Sequence, residues 1–156
     1  MVYYFAYGSN MNQEDLNKWC VKKGYTRIKI INPQVARLEG YKLGFNYYSG
    51  SRGGGAANLT ESTKDIVFGL LIDLNEEDYK KISEKEGAPN YYQEIPIVVN
   101  INRDNIHAKS FKVVKSKEKS TFQPPTKEYM QLIIDSAVKY DFPKDYIEKL
   151  RGIPVK

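Results

Sequence analysis

The chain has 156 residues, 41% of them hydrophobic and 28% charged, with one cysteine, one histidine and a net charge of +5. That length suits a single domain over residues 1–156, and the composition excludes an internal disulfide, a cysteine-rich zinc site and any histidine-based triad or metal site. The lysines are interleaved with acids, no apolar run approaches a membrane span, and residues 1–20 lack the features of a signal peptide. The expectation is therefore a cytoplasmic protein with no nucleic acid, no membrane and no metal among its partners.

The first element is legible at once. Val2-Tyr3-Tyr4-Phe5-Ala6 is a short run of β-branched and aromatic residues and predicts a buried strand. It stops at Tyr7-Gly8-Ser9-Asn10, and Asn12-Gln13-Glu14-Asp15 then has the form of a capped, acidic first helical turn, opening a helix over about 13–23. A strand that feeds a glycine turn and then a helix start leaves several N–H groups unpaired and pointing into one space. The N–H groups of Gly8, Ser9 and Asn10 are thus a candidate nest for an anion or a developing oxyanion.

Residues 27–31 and 34–38 carry strand signals interrupted by Pro33, and Tyr41–Phe45 alternates as a half-buried strand. The stretch 49–55 is a glycine-rich loop, followed by a short strand near 56–59 and an apolar run, 66–74, suited to a central strand. After a helix opening at Asn75, strands are expected at about 92–101 and 107–115. Pro124-Pro125-Thr126 and Phe142-Pro143 introduce helices near 127–139 and up to about 151. Many strands with scattered helices predict an α+β fold whose small mixed or antiparallel sheet curls into a barrel, with helices flanking it.

The helix from Asn75 to Gly87 holds the second candidate. Asn75 is a suitable N-cap, three acids follow at the positive end of the dipole, and Gly87 suits the position after the last turn. Tyr79 and Ile82 mark the apolar face, and Glu86 falls on it one turn later, whereas Lys80, Lys81, Glu84 and Lys85 lie away from it. A carboxylate there is desolvated and close to the negative helix end, which raises its pKa toward the value wanted in a general base. Fraying of the last turn would instead turn Glu86 outward as a surface charge, and periodicity alone leaves both orientations open.

The ordered set of motifs resembles the gamma-glutamylcyclotransferase family. Tyr4-Phe5-Ala6-Tyr7-Gly8-Ser9-Asn10-Met11 is similar to its N-terminal signature, 68–75 to the strand before its catalytic helix, and Glu86-Gly87 to that helix's end. Residues 35–43, the glycines at 53–55, Pro124-Pro125 with Tyr129, and 142–150 continue the likeness in the same order. The resemblance implies cofactor-independent cyclisation of a gamma-glutamyl compound, releasing 5-oxoproline and a free amine, with Glu86 as acid and base. It also implies a substrate pocket formed by Tyr7, Gly8, Ser9, Asn10, Tyr92 and Tyr129. A non-catalytic small-molecule-binding or regulatory module of the same fold is the alternative. The tyrosines serve packing equally well. Arg37 suits a structural ion pair and Arg52 a solvated loop charge, although either could meet a substrate carboxylate. Cys20 has the setting of a buried bystander, and His107 has no expected role. The 46–55 loop and the short 88–91 segment depart from the family pattern, so the leaving amine does not follow from the resemblance.

Overall fold

The computed structural model describes residues 1–156. In chain order its elements are β1 (Val2–Ala6), α1 (Gln13–Lys23), β2 (Ile31–Gly44), β3 (Tyr48–Ser49), β4 (Gly54–Gly55) and β5 (Asn58–Leu74). Then come α2 (Glu76–Lys85), β6 (Tyr92–Ile101), β7 (Asp104–Val113), α3 (Lys127–Lys139) and α4 (Lys144–Arg151). Five strands close a barrel in the order β1-β5-β2-β6-β7, and β3 and β4 form a separate small hairpin. All pairs of the barrel are antiparallel except the β1–β7 seam, which is parallel. The expected α+β barrel with flanking helices is the observed fold.

The barrel closes at a thinly paired seam, as sparse as the single β2–β6 pair of Arg37 with Asn100. β1 and β7 share one paired position, Tyr4 with Lys109, and the buried Ser110 hydroxyl donates to the Phe5 carbonyl at 2.8 Å to fasten the same seam. Phe5, Leu59, Val67, Leu70, Val99 and Val113 are fully buried within and around the barrel. Outside it, α3 buries Met130, Ile133 and Ala137, and α4 adds Tyr146 and Leu150, the apolar stripe expected of a helix lying on a sheet.

Two strands are longer than their sequences suggest. The segments read as separate strands at 34–38 and 41–45 belong to one strand, β2, and Arg27–Ile30 lie outside regular structure. Pro33 sits at a register irregularity between Ile31 and Gln34, where its missing N–H breaks no ladder bond. A second irregularity falls between Glu39 and Tyr41, where Gly40 has φ +86°, a conformation that costs glycine little. The bulge lets one strand continue. Its partner β5 joins the expected 56–59 and 66–74 strands through Thr60–Asp65, a polar, largely exposed stretch without the alternation of a strand. β7 begins at Asp104, ahead of the expected 107.

Candidate active site

β1 delivers the chain to the end of the barrel, where it turns sharply. Gly8 leads into a single 3₁₀ turn, Ser9–Met11, closed by Met11 N–H to the Gly8 carbonyl (3.2 Å) and Asn12 N–H to the Ser9 carbonyl (3.0 Å). The Asn12 side chain then caps α1 by accepting from the Asp15 N–H at 3.0 Å. The Gly8 N–H has no backbone acceptor, as expected of the first donor in a nest.

Helix α2 approaches this turn from the other side. Asn75 caps it by accepting from the Asp78 N–H at 2.7 Å, and Tyr79 and Ile82 are buried. Glu86 is the C-cap residue, still in helical conformation, with its N–H bonded to the Ile82 carbonyl. Gly87 follows at φ +69°. Glu86 therefore keeps the apolar helix face and points inward, and its Oε1 accepts from Asn10 Nδ2 at 3.0 Å. Burial raises its pKa above the ordinary glutamate value. Lys85 and Arg52 oppose that rise and Asp15 adds to it.

The carboxyl stands at a junction. Outward lies a cleft of about 400 Å³ lined by Ser9, Tyr47, Arg52, Lys85 and Tyr91 among others. Inward, past Gly8 and Asn10, lies a recess of about 20 Å³ between Tyr4, Tyr7, Ala57, Tyr92 and Tyr129. Room of that size accepts one oxygen-sized group. Glu86, Ser9, Tyr92 and Tyr129 border both spaces.

All the residues anticipated for the site are gathered here, and their hydroxyls are engaged differently. Tyr7 donates to the Phe111 carbonyl at 2.5 Å, and Tyr92 donates to the Ala57 carbonyl at 2.7 Å. Tyr129 instead accepts from the Ala57 N–H at 3.0 Å, which leaves its own proton free of any protein acceptor. Burial raises all three phenols, Tyr129 to about 12, so they stay neutral through the physiological range. Tyr7 and Tyr92 are walls; Tyr129 is a wall that still carries a donor.

Three charged residues, Asp15, Arg52 and Lys85, meet at the site against expectation. Arg52, read as a solvated loop charge, forms a bidentate pair with Asp15 (2.9 and 2.8 Å), donates to Ser9 Oγ (3.2 Å) and lies 5.3 Å from the centre of the Tyr129 ring. Lys85, placed by periodicity on the outer face, turns back to donate to Asp15 Oδ2 (3.1 Å) and to Asn10 Oδ1 (2.8 Å). Lys81 makes a similar inward turn, bonding Thr26 at its carbonyl (3.0 Å) and hydroxyl (2.8 Å). Four-carbon stems let an ammonium travel a full turn from its Cα, which face-counting ignores. Burial works against the Asp15 carboxylate, but Arg52 and Lys85 outweigh it and hold its pKa below the usual range. Asn10 contributes its side chain as well as the backbone N–H anticipated for it.

The loop that carries Arg52 is fastened from behind. The Gly55 N–H donates to the Pro124 carbonyl at 3.0 Å, and a Cβ on Gly55 would fall 1.8 Å from the Gln123 carbonyl oxygen. Gln123 N–H in turn bonds the Phe45 carbonyl at 2.7 Å. Away from the site, Arg37 pairs with Glu39 at 2.9 Å on β2, Cys20 is buried in α1, and His107 is exposed on β7. No cluster of three or more His, Cys, Asp or Glu side chains is arranged to hold a metal ion, and no helix is long and apolar enough to cross a membrane.

Comparison with known proteins adds the following. The model of the AIG2-like family matches residues 66–150. A gamma-glutamylcyclotransferase of Mus musculus is 30% identical over 161 residues, spanning 96% of this chain and 77% of that protein. Its Homo sapiens counterpart is 29% identical with the same coverage. A solved structure of a gamma-glutamyl cyclotransferase superposes with a TM-score of 0.81 at 26% identity, over 99% of this chain and 89% of that one.

Proposed function

The chain belongs to the AIG2-like family and is a gamma-glutamylcyclotransferase-like enzyme; from that premise we propose that it cyclises gamma-glutamyl amino acids, peptides or amines to 5-oxoproline, with Glu86 as both base and acid. The observation that carries the reading is the Glu86 carboxyl: buried enough to have a raised pKa, yet opening onto both the cleft and the recess beside the Gly8–Asn10 turn.

The chemistry is intramolecular. Glu86 takes a proton from the substrate's α-ammonium, and the freed amine attacks the γ-amide carbon, closing a five-membered ring. The carbonyl π electrons move onto oxygen. As they return, the bond from carbon to the leaving nitrogen breaks, and Glu86 returns its proton to that nitrogen. The second proton of the attacking nitrogen also passes to the departing amine, which leaves as an ammonium. The products are 5-oxoproline and a free amine, and the step is redox-neutral. Folding an extended glutamyl chain into attack geometry is the main demand. The recess would take a single oxygen of the glutamyl head, and the rest of the chain would fold at the inner end of the cleft against Glu86, Tyr92 and Tyr129. The N–H groups of Gly8, Ser9 and Asn10, with the free Tyr129 proton, would hold the substrate carboxylate or the oxyanion. The leaving group would occupy the wider outer cleft.

The test is a panel of gamma-glutamyl amino acids, peptides and amines, with 5-oxoproline followed by mass spectrometry. Release from at least one member is expected. A blank across the panel with folded protein would replace the cyclase by a binding module of the same fold.

A further inference from the structure

We infer that Lys85 is a positioning residue of this site: its ammonium fixes the Asn10 side chain in the one orientation that presents the amide nitrogen to Glu86. The inference rests on the acid/base reading of Glu86 for its kinetic consequence, though not for its geometry.

The geometry is a chain of contacts with assigned directions. A lysine ammonium has donors only. The Asn10 atom that faces Lys85 Nζ at 2.8 Å must therefore be the amide oxygen. That places Nδ2 on the opposite side, where it donates to both the Tyr4 hydroxyl and Glu86 Oε1, each at 3.0 Å. Were the amide reversed, an oxygen would face the carboxylate and a donor would face the ammonium, two repulsive contacts in a buried setting. Asp15 holds the ammonium in place at 3.1 Å, and the Lys85 side chain is only 8% exposed. The lysine is thus clamped between an anion on α1 and an amide on the β1 turn, and it restrains Asn10 in turn.

The charges around Glu86 make the lysine's contribution separable. Lys85 comes from its own helix, Asp15 from α1 and Arg52 from the rim loop. The phenols of Tyr4, Tyr7, Tyr47, Tyr92 and Tyr129 face it from β1, its following turn, the rim, β6 and α3, and burial keeps them neutral. Asp15 and Arg52 largely cancel through their bidentate pair. Lys85 is then the cation whose loss changes the local balance, and it takes the restraint on the donor to Glu86 with it. Both changes disfavour ionised Glu86.

The experiment compares wild type, Lys85→Met and Lys85→Arg by rate–pH profile and by ¹³C NMR titration of carboxyl-labelled glutamate, with the Glu86 resonance identified by its absence in Glu86→Gln. In K85M the acid limb should move to higher pH, with a loss of about tenfold on that limb and convergence with wild type on the alkaline plateau. The Glu86 NMR midpoint should rise in parallel. K85R, another donors-only cation, should restore both. A K85M profile lowered evenly at every pH, or an unmoved NMR midpoint, would overturn the role. If K85M does not fold, Lys85→Gln should move the midpoint in the same direction by less, and a stationary midpoint there overturns it equally. The NMR titration needs no turnover, so a protein inactive on every substrate would refute the cyclase reading while leaving this inference separately tested.

Discussion

At the recess end of the site, Tyr7, Tyr92 and Tyr129 fasten their hydroxyls to the backbone at Phe111 and Ala57; at the open end, Asp15, Arg52 and Lys85 hold one another across α1, a loop and α2. The inner wall is neutral and built on the barrel frame, so neither salt nor physiological pH should loosen it. The rim is ionic and assembled from three separate segments, so its integrity and its influence on Glu86 follow protonation. Glu86 lies between the two, desolvated by one and charge-tuned by the other.

The comparison is tested most severely at Glu86 itself. Glu86→Gln keeps the shape of both walls and removes the proposed proton carrier, so 5-oxoproline release should fall roughly 10²–10⁴-fold. Near-normal turnover in a steady-state assay would remove Glu86 from its role. The same variant carries a stability signature. The folded-state pKa of Glu86 lies above its unfolded value, so the native state binds more protons between the two. Wild-type stability contributed by this group declines as pH rises from the ordinary glutamate range through the raised value. Glu86→Gln should erase that decline in urea midpoints.

Next in size is Asp15→Asn, which leaves Arg52 and Lys85 partly buried without their anion. A loss of about 2–3 kcal/mol is expected by chemical denaturation. The Asp15 pKa is depressed in the folded state, so its contribution is present above the ordinary aspartate range and lost as pH falls through the folded value. Acid-side stability should therefore be flatter in Asp15→Asn than in wild type. Equal slopes would mean the rim is not the ionic structure described.

The tyrosines give the smallest effects and the cleanest contrast. Tyr7→Phe leaves the buried Phe111 carbonyl without its donor and should cost about 1–2 kcal/mol of stability with kcat nearly retained. Tyr129→Phe removes the free donor as well as the acceptor for Ala57, so it should also lower the rate, about tenfold. Indistinguishable kinetics for the two variants would make Tyr129 another wall.

What could be read in the sequence follows from what is local. The helix from Gln13 with its Asn12 cap, the Asn75 cap and the left-handed Gly87 are each determined by a few neighbouring residues, and all three stand where expected. The inward turn of Glu86 was half legible: periodicity put it on the right face, but only Asn10 from a distant turn holds it there. The full lengths of β2 and β5 were hidden because Thr60–Asp65 owe their strand geometry to a partner strand, not to any pattern of their own. The ionic rim was hidden more deeply. Asp15 has the look of an ordinary first-turn acid, Arg52 of a loop charge and Lys85 of an outer-face lysine, and only the closed barrel brings the three together.

Gly55 has a consequence for how this enzyme could diversify. Because the loop is pinned at its base against Gln123 and Pro124, its tip at Gly50-Ser51 hangs from an anchored root, far in the chain from α2. Changes of length or sequence at that tip would remodel the mouth of the cleft, where the proposed leaving group would sit, while the root and the barrel behind it stay put. One glycine thus separates the part of the molecule free to vary its clientele from the part that must hold still for the chemistry.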